Sequence, residues 1–203
     1  MADISAEQVR QLRERTGAGM MDCKRALQET GGDVERAIEL LREKGLASVA
    51  KRADRAANQG RIDSYIHFNN TVGVLIEVNS ETDFVANTDE FQQLVKDVAL
   101  HIASPASPRW LRRDDVPEDV FAQEEHIWRI QAKESGKPEQ VIEKIVEGKR
   151  NAFYEDHVLL EQPFVKDDSK TVQQLLDEVG ARVGEKVAVR RFVRYKLGES
   201  AEG

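Results

Sequence analysis

At 203 residues the chain is long enough for one or two domains, and 40% hydrophobic residues supply material for a core. A formal net charge of -7 argues against a broad basic grip on nucleic acid, and a single cysteine, Cys23, excludes a disulfide within the chain or a multi-cysteine zinc site. No basic segment followed by an apolar core opens the sequence, and no apolar run approaches the about 20 residues of a membrane span, so a cytoplasmic protein without membrane contact is expected.

Three short helices are predicted first. Ser5 and Gln8 have capping-box spacing, and Ile4 and Val9 flank them as a hydrophobic staple. Val9 and Leu12 share a face before Gly17 and Gly19 break the pattern. A second helix spans Met20 to Glu29 with Cys23, Ala26 and Leu27 as its apolar side. Asp33 caps a third, in which Val34, Ala37, Ile38 and Leu41 recur at helical spacing until Gly45 closes it. Residues 1–46 therefore read as a small three-helix bundle. Residues 47–60 read as a partly helical connector, whose Lys51, Arg52 and Arg55 suit either an acidic partner or a solvated face.

The period then changes to two. Ile62, Ile66 and Phe68 alternate with Arg61, Asp63, Tyr65 and His67. Asn69-Asn70 fits a tight turn, and Val72, Val74, Ile76 and Val78 line one side of a second strand. A helix is expected from Asn87, with a stripe of Phe91, Val95, Val98 and Ile102, ending at Ser104-Pro105. Residues 118–135 and 138–148 form a helical hairpin split at Ser135-Gly136-Lys137-Pro138. Thr171 and Gln174 cap a further helix, and a strand at 186–197 joins the first two as a third antiparallel strand. The fold class is α+β: the bundle, then a core over 61–198 that carries the 118–148 hairpin, and a tail at 199–203.

Little catalytic chemistry is legible. Gly180 to Lys186 fails phosphate-loop spacing, lacks Ser or Thr after the lysine, and leads into a strand. Gly17-Ala18-Gly19 joins two helices, so it is no dinucleotide fingerprint. His67, His101, His126 and His157 have no partner motif. No catalytic residue, metal ligand or cofactor is expected, and the balance points to a binding protein. Two segments stand out as docking candidates. Thr16-Gly17-Ala18-Gly19-Met20-Met21 puts two adaptable thioethers beside a flexible turn, although either methionine can equally fill the small core. Ser80 to Asn87 carries Phe84 and Val85 where a polar connection is usual. Phe84 either projects or folds back onto the core, with Asp83 capping a turn.

The stretch Leu12 to Leu27 resembles the N-terminal signature of the elongation factor Ts family, and Glu77 to Ala86 resembles its second signature. Leu159 to Phe164 and Val189 to Phe192 are also similar to its shorter members. The resemblance covers about residues 4 to 198. It implies a ubiquitin-associated-like N-terminal domain and an exchange function on elongation factor Tu. It implies that Thr82, Asp83, Phe84 and Val85 enter the GTPase domain and disturb its magnesium site. It implies further that the Thr16, Gly17, Met20 and Met21 turn docks on the same domain, and that His101 contributes to the contact. Because only one core module fits, it implies a homodimer, non-covalent since the C-terminal cysteine of some short forms is missing. The rival readings are a generic protein-interaction module and an enzyme with a dispersed site. An exposed Phe84 favours exchange over the former.

Overall fold

The Ser5 and Gln8 side chains close the capping box that opens α1 (Ala6–Thr16): the Gln8 N–H donates to Ser5 Oγ at 3.2 Å, and the Ser5 N–H donates to Gln8 Oε1 at 3.0 Å. In this computed structural model, which describes residues 4–134, 136 and 138–199, α2 (Met20–Glu29) and α3 (Val34–Ala50) follow, with Asp33 capping α3 through the Arg36 N–H. Val9, Leu12, Cys23, Ala26, Leu27 and Ala37 bury together, as helical spacing dictates. One expectation fails here: α3 does not stop at Gly45 but runs on to Ala50. A Cβ at Gly45 would stand 3.4 Å from that of Ala181, so a close helix contact accounts for this glycine, not a helix end.

Strands β1 (Gln59–Ile66), β2 (Val72–Ser80) and β5 (Ala188–Lys196) form a three-stranded sheet in the order β1-β2-β5. The His67 N–H donates to the Val72 carbonyl, and Asn70 takes the positive φ of 56° that the turn demands. The Leu197 N–H reaches Thr71 while Arg191 pairs with Glu77 at 2.7 Å, so β5 runs antiparallel to β2. Val72, Val74, Ile76 and Val78 are buried, as alternation requires. The other face differs from the usual pattern. Ile62, Ile66, Leu75, Val193 and Tyr195 are exposed, and Phe68 and Leu197 beyond the strand ends are 86% and 80% exposed. Arg61, Asp63, Tyr65 and His67 of the neighbouring register are the half-buried ones. The side of β1 that looks apolar in the sequence is thus the side left open.

After β2 comes a short helix, α4 (Asp83–Ala86), then α5 (Asp89–Ala103). The helix expected from Asn87 begins two residues later, because the Thr88 hydroxyl accepts the Phe91 N–H at 3.2 Å. Helices α6 (Glu118–Glu134) and α7 (Glu139–His157) form the helical hairpin; Ser135 and Lys137 of its expected tip lie outside the described residues. Helix α7 continues nine residues past Gly148, since Phe153 extends the buried stripe begun by Ile142 and Val146. On one flank Arg129 joins Glu125 (3.0 Å) and Glu143 (2.6 Å), and Arg150 joins Glu125 (2.9 Å). A small hairpin, β3 (Pro163–Phe164) with β4 (Asp167–Thr171), has no period-two signal in the sequence. Thr171 and Gln174 then cap α8 (Val172–Val183) as expected.

The chain clusters into two compact units. One holds the chain up to Gly60 with Asn79–Gln92 and Leu176–Ala188; the other holds Arg61–Val78, Gln93–Leu175 and the chain from Val189. Among the described residues no helix is long and apolar enough to cross a membrane.

Candidate functional site

The segment leaving β2 is built to hold a side chain outward. Ser80, fully buried, donates its hydroxyl to the Thr82 carbonyl at 2.8 Å and fixes where the strand ends. Thr82 adopts extended backbone and its Oγ accepts the Val85 N–H at 3.4 Å, making it the N-cap of α4. The Asn87 amide donates to the Asp83 carbonyl at 2.9 Å and closes the turn. With Ala86 buried as the anchor, Asp83 and Phe84 face solvent and Val85 is half-buried. Phe84 is 82% exposed. An exposed phenyl ring on a one-turn helix has no role in its own core. Asp83, considered as a possible turn cap, yields that part to Thr82.

Glutamates brace this segment from both sides. The Thr82 N–H donates to Glu185 Oε2 at 2.9 Å, and the Thr82 hydroxyl donates to Glu185 Oε1 at 2.6 Å. In return the Lys186 N–H donates to Glu81 Oε1 at 2.7 Å, and Arg55 pairs with Glu81 at 3.2 Å. The Lys186 N–H, and secondarily Arg55, hold the Glu81 carboxyl below the ordinary carboxylate range, against the opposing effect of burial. The Lys186 ammonium also donates to the Ala53 and Arg55 carbonyls. The pairing of Glu81 and Arg55 with Lys186, and of Thr82 with Glu185, is not legible from sequence, where Arg55 reads only as a connector residue suited to an acidic partner or a solvated face, because the partners lie up to 133 positions apart. The Gly180 to Lys186 stretch, unconvincing as a phosphate loop, is part of this brace.

The Thr16 to Met21 turn belongs to the same compact unit. Thr16 Oγ donates to the Leu12 carbonyl at 2.7 Å and accepts the Ala18 N–H at 3.3 Å. Gly17 caps α1 at φ +67°, a conformation that favours glycine, and a Cβ there would lie 2.5 Å from Arg182 Cδ, so a side chain would also push the flexible Arg182 aside. Arg182 in turn grips Glu90 of α5. Met20 is 45% exposed and Met21 64%, so neither thioether fills the bundle.

His101 belongs to the second unit. It is completely buried, its Nδ1 accepts the Val165 N–H at 3.1 Å, and its Nε2 donates to Gln162 Oε1 at 2.9 Å. The bond from Val165 fixes the Nε2–H tautomer. Gln162 passes the network on, donating to the Ala106 and Asp156 carbonyls at 2.9 and 2.8 Å. Burial lowers the His101 pKa below the ordinary histidine value, with the Gln162 bond opposing. A ring sealed in this way offers no surface to another molecule; it ties the β3 region to α5. Among the described residues no three His, Cys, Asp or Glu side chains are grouped to hold a metal ion.

The family model described as Elongation factor TS matches residues 5–199. Relatives named Elongation factor Ts align along nearly the whole chain. That of Desulforamulus reducens is 57% identical, covering 100% of this chain and 93% of its own length. That of Geobacter metallireducens is 57% identical over 97% of this chain and 90% of its own length. That of Thermosipho melanesiensis is 54% identical over 97% of this chain and 100% of its own length.

Proposed function

The chain belongs to the elongation factor Ts family, whose role in translation elongation is guanine-nucleotide exchange on elongation factor Tu, and from that premise we propose that it loosens GDP by inserting Phe84 beside the phosphate and magnesium site of the partner's GTPase domain. The observation that carries the reading is the 82% exposure of the Phe84 ring on a braced one-turn helix. Exchange requires no covalent step. The factor must bind the nucleotide-free partner better than the loaded one, and linkage then weakens GDP by the same factor. A phenyl ring buried between partner elements contributes roughly 1.5–3 kcal/mol, within the usual scale of coupling energies.

Each neighbour has a part. Thr82 caps the helix that presents the ring, Val85 supports it from the half-buried side, and Asp83 brings a carboxylate that repels the partner's bound phosphates and competes with them for magnesium. Met20 and Met21 offer a soft apolar surface beside the Thr16-Gly17 turn, suited to docking on the same GTPase domain. His101 acts on the partner only through the elements it ties. The N-terminal bundle serves as a ubiquitin-associated-like docking domain, and the acidic protein works in the cytoplasm without gripping nucleic acid.

We further propose a non-covalent homodimer through the open face of the sheet. Ile66, Leu75, Val193 and Tyr195 are exposed on the strands that also carry the Glu77–Arg191 pair, which gives the face both apolar surface and its own charge complement. A second copy covers it and supplies the second core module that one short chain lacks.

The test is Phe84→Ala in stopped-flow release of labelled GDP from elongation factor Tu. The ring is outside the core, so the variant keeps its fold. Stimulated release should fall roughly tenfold to 150-fold, from the burial free energy of the ring. Wild-type stimulation by a folded Phe84→Ala protein contradicts the wedge.

A further inference from the structure

Helix α4 has four residues, too few to hold a direction by itself. Buried Ala86 anchors its C-terminal end, and the direction of its N-terminal end comes from what holds Thr82. The Thr82 hydroxyl has one proton and gives it to Glu185; its lone pairs are then free to accept the Val85 N–H. The Glu185 carboxylate takes the Thr82 N–H with its other oxygen, so both donors of the N-cap residue end on a single charged group. Glu185 is itself aimed by backbone geometry. Helix α8 ends at Val183, Gly184 turns the chain at φ +77°, and its N–H closes on the Gly180 carbonyl at 3.0 Å. Gly180 has no room for a side chain, since a Cβ would stand 2.9 Å from the Glu185 carbonyl oxygen. The reciprocal bond from Lys186 to Glu81 prevents the two segments from sliding past one another.

We propose that Glu185 is a positioning residue for nucleotide exchange: by binding both the N–H and the hydroxyl of Thr82, it sets the direction in which α4 presents Phe84. The inference rests on the reading of Phe84 as the wedge. It places a determinant of exchange about a hundred positions from the wedge, in the turn after α8, where Glu185 is half-buried and both of its carboxylate oxygens are engaged by Thr82. Without the carboxylate, the cap loses its orienting partner and α4 samples several directions. The ring must then be ordered during engagement, which slows the step that expels nucleotide. Docking through the Thr16 to Met21 turn is unaffected.

The experiment measures GDP release from elongation factor Tu against factor concentration for wild type, Glu185→Ala, Glu185→Gln, Phe84→Ala and the Phe84→Ala/Glu185→Ala double variant. Glu185→Ala should lower the maximal stimulated rate about tenfold, as expected for loss of charge-assisted bonds, with the half-saturating concentration changed less than about twofold. Glu185→Gln keeps the acceptor oxygen and the shape, and should recover part of the rate. In the Phe84→Ala background the Glu185→Ala change should have no further effect, because it acts through the ring. A Glu185→Ala protein with wild-type maximal rate, while Phe84→Ala is slow, overturns the positioning role alone. A Phe84→Ala protein at wild-type rate overturns the wedge beneath it. Full additivity of the two changes, or loss confined to the half-saturating concentration, also overturns the proposal. If Glu185→Ala lowers the thermal midpoint enough to unfold the sample, Glu185→Gln carries the same comparison.

Discussion

Replacing His101 with leucine should destabilise the protein severely while leaving its exchange chemistry intact in the folded fraction. The substitution keeps an apolar group of comparable reach in a site with no solvent exposure. It removes the donor to Gln162 Oε1 and the acceptor of the Val165 N–H. Gln162 cannot turn to compensate, because its amide nitrogen already holds the Ala106 and Asp156 carbonyls. Each group left without a partner in the interior costs about 1–3 kcal/mol, so the pair costs about 2–6 kcal/mol. At about 2–4 °C per kcal/mol for a chain of this size, the thermal midpoint should fall by about 4–24 °C. Circular dichroism melts and urea titrations of His101→Leu read this directly. The pH dependence has a definite sign. The native state keeps His101 neutral with its pKa lowered by burial, whereas the unfolded chain protonates near the ordinary value of about 6.5. The stability it contributes is complete above that value and is lost as pH falls toward the lower native pKa. A His101→Leu midpoint within a degree or two of wild type refutes the reasoning. A folded variant with a large specific defect in GDP release shows instead that His101 reaches the partner.

Other predictions follow from the same geometry. Leu75→Asp together with Tyr195→Asp puts charge on the open sheet face, and sedimentation velocity should show dimers for wild type and monomers for the variant; a variant that dimerises as wild type does places the interface elsewhere. Gly17→Ala forces a side chain into a positive-φ cap and against Arg182, at a cost of about 1–2 kcal/mol for the backbone alone, read as a fall in thermal midpoint. The Glu125–Arg129–Glu143 network lowers both glutamate pKa values, Arg129 being the first cause for each. Its contribution is present above the ordinary glutamate pKa and lost as pH falls through the lowered ones. Amide protection factors across α6 and α7, taken against the intrinsic exchange rate at each pH, should therefore fall below about pH 4.5, and Arg129→Met should remove most of that dependence.

Local signals were the legible part of this protein. The Ser5–Gln8 and Thr171–Gln174 boxes, the Asp33 cap and the Asn69-Asn70 turn each act over three or four residues, and each is where spacing puts it. The apolar side of β2 is buried for the same reason. Errors arose where a local signal met a distant neighbour. Gly45 reads as a helix end, yet it packs against Ala181 from inside α3, and α7, expected to stop at 148, runs on to bury Phe153. Ile62 and Ile66 share one side of β1 with Ser64, Phe68 continues the alternation past its end, and this spacing says nothing about which face of the sheet is covered. Phe84 was visible as an anomaly in a connection, but sequence left open whether it projected. The brace that aims it joins residues 81–82 to 185–186, and no spacing rule spans that interval.

The most direct measurement is the dissociation of labelled GDP from purified elongation factor Tu with magnesium present, with and without this protein. Release should accelerate with the concentration of the chain until it saturates, by at least tenfold at the plateau, if the ring engages as its burial free energy allows. A dissociation rate unchanged at saturating, folded protein contradicts the account.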